Sequence, residues 1–162
     1  MFLLAAAIER VKSAFTRVLA AAVAAALAYW LARMLLGQQQ PIFAAITAII
    51  CLAPGIPSHF KQCINLLVGV SIGIVVGELV FLIPYELGEI AFAIATLVAM
   101  LFASSPGMAP VVPIQAGASA LLVVLMGPQY AGLIRFLDVL IGVTTGLVFA
   151  VVFFRARLNF RD

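Results

Sequence analysis

The chain has 162 residues, of which 66% are hydrophobic and 9% charged, and its mean hydropathy is +1.28. A water-soluble domain carries charge at roughly a quarter of its positions, so this composition excludes one and leaves a helical membrane protein. The net charge of +3 comes without the basic stripe and interleaved aromatics of a nucleic-acid surface, so no nucleic-acid partner is expected.

In chain order, residues 1–13 come first. Their apolar start, Phe2, Leu3, Leu4 and Ile8, precedes Arg10, Lys12 and Arg17. A cleavable secretory signal has its charges before the apolar run, so this stretch is expected to be an interfacial helix lying on the cytoplasmic face. Six low-charge runs follow, at 14–36, 42–53, 64–83, 87–103, 114–126 and 136–154. A helix needs about 20 apolar residues to cross a bilayer. These runs are apolar on every side, unlike the alternating segments of an outer-membrane barrel, and each is expected to be a helix. Residues 155–162 form a basic tail.

Basic residues favour the cytoplasmic ends of spans. Arg10, Lys12 and Arg17, then Lys61, then Arg155, Arg157 and Arg161 fall on one side of a six-span layout. The opposite side receives Arg33 and Arg135 together with the acidic loop Pro84-Tyr-Glu-Leu-Gly-Glu89. Both termini are therefore expected to be cytoplasmic. Cys51 and Cys63 map near that reducing side and lack a metal-ligand spacing, so they read as small apolar residues.

Two short runs fenced by prolines occupy matching places. Pro41-Ile-Phe-Ala-Ala-Ile-Thr-Ala-Ile-Ile leads to Pro54, and Pro113-Ile-Gln-Ala-Gly-Ala-Ser-Ala-Leu-Leu leads to Pro128. The overlay matches Pro41 with Pro113, Ala44 with Ala116, Thr47 with Ser119 and Ala48 with Ala120. It extends, with a one-residue change of offset, to Leu67-Val-Gly-Val-Ser-Ile-Gly73 against Leu140-Ile-Gly-Val-Thr-Thr-Gly146. Each half, residues 14–83 and 87–154, then holds three crossings, and an odd number turns the second half upside down. The expected fold is all-α and transmembrane: six helices as an inverted 3+3 repeat with short, proline-bounded helices 2 and 5. In transporters such short or interrupted segments mark the central binding site.

Glycines at 69, 73 and 77 of helix three and at 142 and 146 of helix six lie at four-residue spacing, which lines one helix face and permits close backbone approach. Helices three and six are expected to pack together, or against copies of themselves. Polar groups within the slab are the candidate path residues, since a charge at the bilayer centre costs roughly 2.5–3.5 kcal/mol. Glu78 lies five residues before the end of its run, roughly 7 Å inside the hydrocarbon edge. It reads either as a carboxylate that takes up and releases a proton as the site changes face, or as a satisfied boundary side chain. Asp138 stands three residues after Arg135, within pairing reach on one helix face, and the overlay sets Asp138 opposite Asn65. Arg135 would attract an anion. Thr47, Gln115 and Ser119 add hydroxyl and amide groups on the short helices, although hydroxyls often bond back to their own helix.

The run Pro41-Ile-Phe-Ala-Ala-Ile-Thr-Ala-Ile-Ile-Cys-Leu-Ala-Pro54, followed by Gly69, Gly73 and Gly77, resembles the membrane unit of the fusaric acid resistance and aromatic acid exporter families. The resemblance covers the first half directly and the second through the repeat. It implies a bacterial inner-membrane exporter of aromatic carboxylates or similar small organic anions, working with a periplasmic adaptor of the membrane-fusion type. Where the family pattern often has Arg just before the first glycine of helix three, this chain has Asn65 and Leu66. Family members are usually longer, so the chain is expected to be either a free-standing small member or one unit of something larger; a single six-helix unit offers limited room for a gated path and is expected to form a homo-oligomer through glycine-rich or alanine-rich faces.

No enzymatic constellation is visible. His59 is the sole histidine, and no phosphate-cradling loop or nucleophile elbow is present. No cofactor or metal is expected, and any energy source is an ion gradient or a partner. The alternative to a transporter is a non-transporting scaffold subunit whose glycine faces assemble a larger complex.

Overall fold

The computed structural model describes residues 2–53, 58–83, 88–105 and 107–154. Among the described residues every regular element is a helix: α1 (Phe2–Leu36), α2 (Ile42–Cys51), α3 (His59–Phe81), α4 (Glu89–Ser104), α5 (Val111–Met126), α6 (Pro128–Ala131) and α7 (Leu133–Phe154). Six correspond to the six expected runs, and α6 is a single turn added before the last. Three spans, Ala14–Leu36, His59–Phe81 and Pro128–Phe153, are long and apolar enough to cross a membrane. Large apolar side chains such as Phe15, Val75, Leu79, Leu101, Phe102 and Val152 are at least half exposed. Apolar surface on that scale is untenable in water and suits lipid.

Several boundaries differ from expectation for local reasons. Helix α1 runs unbroken from Phe2, because no Gly or Pro interrupts residues 2–36 and nothing separates the expected interfacial stretch from the first span. Helix α5 starts at Val111, so Pro113 sits inside its first turn and does not bound it. A proline is accommodated there because first-turn N–H groups have no intrahelical acceptor. Helix α2, with ten residues, is about 15 Å long and reaches half-way across a bilayer. Helix α5 has sixteen residues, as does α4, so shortness does not single out α5. Pro54, most of the acidic loop (84–87) and the basic tail (155–162) lie outside the described residues, as do the side chains of 2–10.

The chain divides into two compact bodies, residues 1–60 with 141–162, and residues 61–140. In the first, α1 packs on α2 through small side chains. Ala21, Ala24, Ala28 and Ala32 recur at helical spacing, and they close on Ala44 and Ala48 of α2, on Leu52 just past its end and on Ala150 of α7, with Phe149 and Ile141 at the margin. In the second, α4 packs on α5: Ala95, Ala99 and Ala103, each four residues apart and fully buried, join Val76, Val112, Ala116 and Ala120. Lipid supplies no hydrophobic drive between helices, so small residues hold such seams by letting backbones come close and gain dispersion contact.

Candidate functional site: Arg135, Ser119 and the Glu78 groove

The glycine faces set the geometry. In the second body, a methyl placed on Gly69 would stand 2.6 Å from the Val112 carbonyl oxygen and 3.0 Å from Gln115 Cβ. One on Gly73 would collide with the Ala116 carbonyl oxygen and lie 2.6 Å from Ser119 Cβ; one on Gly77 would lie 3.0 Å from the Ala120 oxygen and 2.7 Å from Val123 Cβ. In the first body, a methyl on Gly142 would collide with the Ala44 carbonyl oxygen and lie 2.7 Å from Thr47 Cβ. One on Gly146 would lie 2.7 Å from Cys51 Cβ and 3.6 Å from the Ala48 oxygen. The glycines of α3 thus dock on α5 and those of α7 on α2. This corrects the expectation that the two glycine helices pack on each other: a glycine face needs a row of carbonyls to approach, and the middle helices provide it.

All five contacts obey one rule, the carbonyl of a residue and the Cβ three positions later. Ala116 with Ser119 faces Gly73 as Ala44 with Thr47 faces Gly142, and Ala120 with Val123 faces Gly77 as Ala48 with Cys51 faces Gly146. Ala44, Thr47 and Ala48 thus meet glycines in the same way as Ala116, Ser119 and Ala120, the residues matched to them in the middle-helix overlay. The glycine-helix overlay shifts by one turn, since the packing equates Gly142 with Gly73 where the sequence match had Gly69. By this register Asp138 corresponds to Gly69 and not to Asn65, which is half-buried on α3 one turn earlier.

On this frame the second body holds a buried polar cluster. Arg135 is 4% exposed and Asp138 1%. Ser119 Oγ donates to the Gln115 carbonyl at 2.7 Å, a bond back to its own helix, which leaves its lone pairs to accept Arg135 Nε–H at 3.0 Å. Asp138, one turn along α7, acts electrostatically on the guanidinium. Ser119 is therefore both a packing residue, against Gly73, and the acceptor for the buried cation. The structure brings together Arg135, Asp138, Ser119 and the Gln115 backbone. In the first body Thr47 is buried and turns its Cβ and Cγ2 towards Gly142.

Glu78 stands apart from that cluster. It is exposed near the end of α3, and its Oε1 lies 2.9 Å from where a Gly132 Cβ would be, at the α6–α7 corner. Gly132 was not singled out by sequence. A lone glycine before a helix reads as a cap, and nothing in the spacing signals that it makes room for a carboxylate 54 positions earlier. Thr96, equally unremarked, has its Oγ1 buried without a hydrogen-bond partner among the described residues. Among these residues no group of three or more His, Cys, Asp or Glu could hold a metal ion.

Comparison with known proteins bears on this arrangement. The model of the fusaric acid resistance protein-like family matches residues 25–149. An uncharacterized protein of Corynebacterium glutamicum is 29% identical over 143 residues, covering 86% of this chain but 36% of that relative, so the chain spans about a third of its length. No solved structure matches. With a match running from the first span almost to the end of the last, the chain belongs to the fusaric acid resistance protein-like family.

Proposed function

We propose that the chain is a transporter subunit of the bacterial inner membrane that exports aromatic or other small organic acids. Membership in the family points to membrane transport, and the observation that carries the finer reading is the buried Arg135–Ser119–Asp138 cluster. Ionisable groups inside membrane spans are costly and are retained chiefly where they line a path or bind a ligand. A guanidinium bonded to the Ser119 hydroxyl and beside the Asp138 carboxylate can trade part of that balance for a substrate carboxylate, which it would engage in a charge-assisted, two-pronged bond. Asn65 and Gln115 are assigned to the same path, Thr47 is a further path candidate within the first body, and Glu78 is assigned to proton exchange at the end of α3.

The inverted 3+3 repeat is part of this proposal. It is supported by the shared rule of carbonyl and Cβ by which α5 receives the α3 glycines and α2 receives the α7 glycines. The topology has both termini cytoplasmic, from the distribution of basic residues, and allows a periplasmic adaptor on the opposite face. The scaffold alternative drew on glycine faces open to a neighbour. All five glycines are buried against α5 or α2, so a homo-oligomer would use other surfaces.

The test is efflux of a preloaded aromatic acid such as benzoate from cells expressing the chain, with Arg135→Leu, Asp138→Asn and Glu78→Gln compared at matched membrane levels. Loss of flux with unchanged protein level is the expected result. Flux equal to an empty-vector control in the unmodified chain overturns the transporter reading.

A further inference from the structure

A cavity of about 240 Å³ lies in the 61–140 body, lined by Ser71, Ile74, Val75 and Glu78 of α3, Gly132, and Leu133 and Phe136 of α7. Four of its lining residues lie along α3. Seven residues separate Glu78 from Ser71, so the groove runs about 10 Å from the carboxylate toward the middle of the span. Glu78 is three residues from the end of α3, and Leu133 opens α7. The charged end therefore lies at the edge of the span and the apolar end toward its interior. Val75 and Leu133 are 56% and 69% exposed, which leaves the groove open along the lipid-facing flank.

The Glu78 carboxylate makes no hydrogen bond or ion pair among the described residues, and no Lys, Arg or His lines the groove. Gly132 lines the groove just before α7. What a side chain would meet is the Glu78 oxygen at 2.9 Å and the Pro128 carbonyl oxygen at 2.7 Å. Glycine at 132 keeps the carboxylate at the mouth of the groove. An anion at one end of a strip that is otherwise apolar calls for a ligand with a cation at one end and a hydrocarbon body at the other, able to enter sideways from the bilayer.

We propose that this groove seats a phospholipid bearing an ammonium headgroup, of the phosphatidylethanolamine kind, with the ammonium at Glu78 and one acyl chain along Val75, Ile74, Phe136 and Ser71. The site is separate from the Arg135 cluster, which has the opposite charge requirement for its ligand. Its phosphate stays outward in the headgroup layer, and the charge-assisted contact is between ammonium and carboxylate.

The experiment is the lipid composition retained by the full chain after reconstitution in an equimolar mixture of phosphatidylethanolamine and phosphatidylglycerol, read by native mass spectrometry. The expected result is several-fold enrichment of phosphatidylethanolamine on the unmodified protein, falling to the bulk ratio in Glu78→Gln. Val75→Trp, which fills the groove and keeps the carboxylate, should lose the enrichment as well and guards against a folding defect in the first variant. Bulk composition on the unmodified chain, or enrichment that persists in both variants, overturns the proposal. So does saturable binding of phenethylammonium without lipid enrichment, which would give the groove to a free amine.

Discussion

Replacing Gly73 by alanine tests the helix-docking rule most directly. The added methyl would stand 2.6 Å from Ser119 Cβ and 2.9 Å from the Ala116 carbonyl carbon, where carbon pairs rest at about 3.5–4.0 Å. The nearest groups are backbone and the first carbon of a side chain that also anchors Arg135, so rotation of a flexible tip cannot relieve the clash. Helices α3 and α5 must part by about 1 Å, and overfilling of this kind costs about 1–3 kcal/mol. Lengthened Cα–H···O contacts add about 0.5–1 kcal/mol, while the better helix propensity of alanine offsets up to about 1 kcal/mol. A net loss of about 1–3 kcal/mol follows. Gly117→Ala, on the partner helix α5, is the internal control. Its methyl meets Met100 Cγ at 2.8 Å and Sδ at 3.1 Å, and an unbranched thioether can turn aside, so the change should stay within about 1 kcal/mol. Thermal unfolding of the detergent-solubilised chain, followed by far-ultraviolet circular dichroism, should show a midpoint several degrees lower for Gly73→Ala and little changed for Gly117→Ala. Equal midpoints, or a larger loss for Gly117→Ala, would refute the reasoning.

Other substitutions probe the remaining contacts. Ser119→Ala removes the acceptor for a buried guanidinium N–H and should cost about 1.5–3 kcal/mol in the same melt. Arg135→Leu and Asp138→Leu should each cost about 3–5 kcal/mol, because each leaves the other charge buried; the double variant should fall short of their sum by about 0.5–3 kcal/mol. Thr96→Val replaces a buried hydroxyl that has no partner by a methyl of similar shape, and should leave the midpoint unchanged or raise it by up to about 1 kcal/mol equivalent. Gly146→Ala lowers stability through its contact with Cys51 Cβ at 2.7 Å, and adding Cys51→Gly should restore part of the loss.

Much of the architecture was legible because low charge over long runs has one physical meaning in lipid. The six runs each became a helix. Their ends were less legible, since a terminus depends on where unpaired backbone groups find partners, and Pro113 is compatible with a boundary or with a first turn alike. The pairing of Arg135 with Asp138 follows from three-residue spacing on one helix. Its third member, Ser119, could be listed as polar but not placed, because the bond joins residues 16 apart on different helices. The Glu78 carboxylate stood out as a charge within an apolar run, whereas Gly132, which makes space for it, carries no signal of its own.

In the proposed repeat the two overlays differ by one turn. Identity of residues aligned Gly69 with Gly142, because leucine, glycine and valine recur so often in lipid-facing helices that several registers score alike. Packing aligned Gly73 with Gly142, because the constraint lies in the partner: a glycine must meet the carbonyl of Ala44 or Ala116 and clear the Cβ of Thr47 or Ser119. The middle helices, where small and hydroxylated residues have to recur at fixed positions, kept their register in both. It follows that a three-glycine face on α3 against a two-glycine face on α7 is not a loss of symmetry at the start of the stripe alone. The extra glycine of α3, Gly69, corresponds to Asp138, where α7 carries its buried acid in place of a close approach. Introducing Asp at 69 should then disrupt the α3–α5 seam, because Val112 and Gln115 occupy the space its carboxylate would need. Asp138→Gly adds no atoms to a seam and removes the counter-charge of Arg135 at about 3–5 kcal/mol, whereas Gly69→Asp adds both overlap with the Val112 oxygen and a buried acid, so in the same melt Gly69→Asp must be the more damaging of the two. If the order is reversed, packing does not set the register.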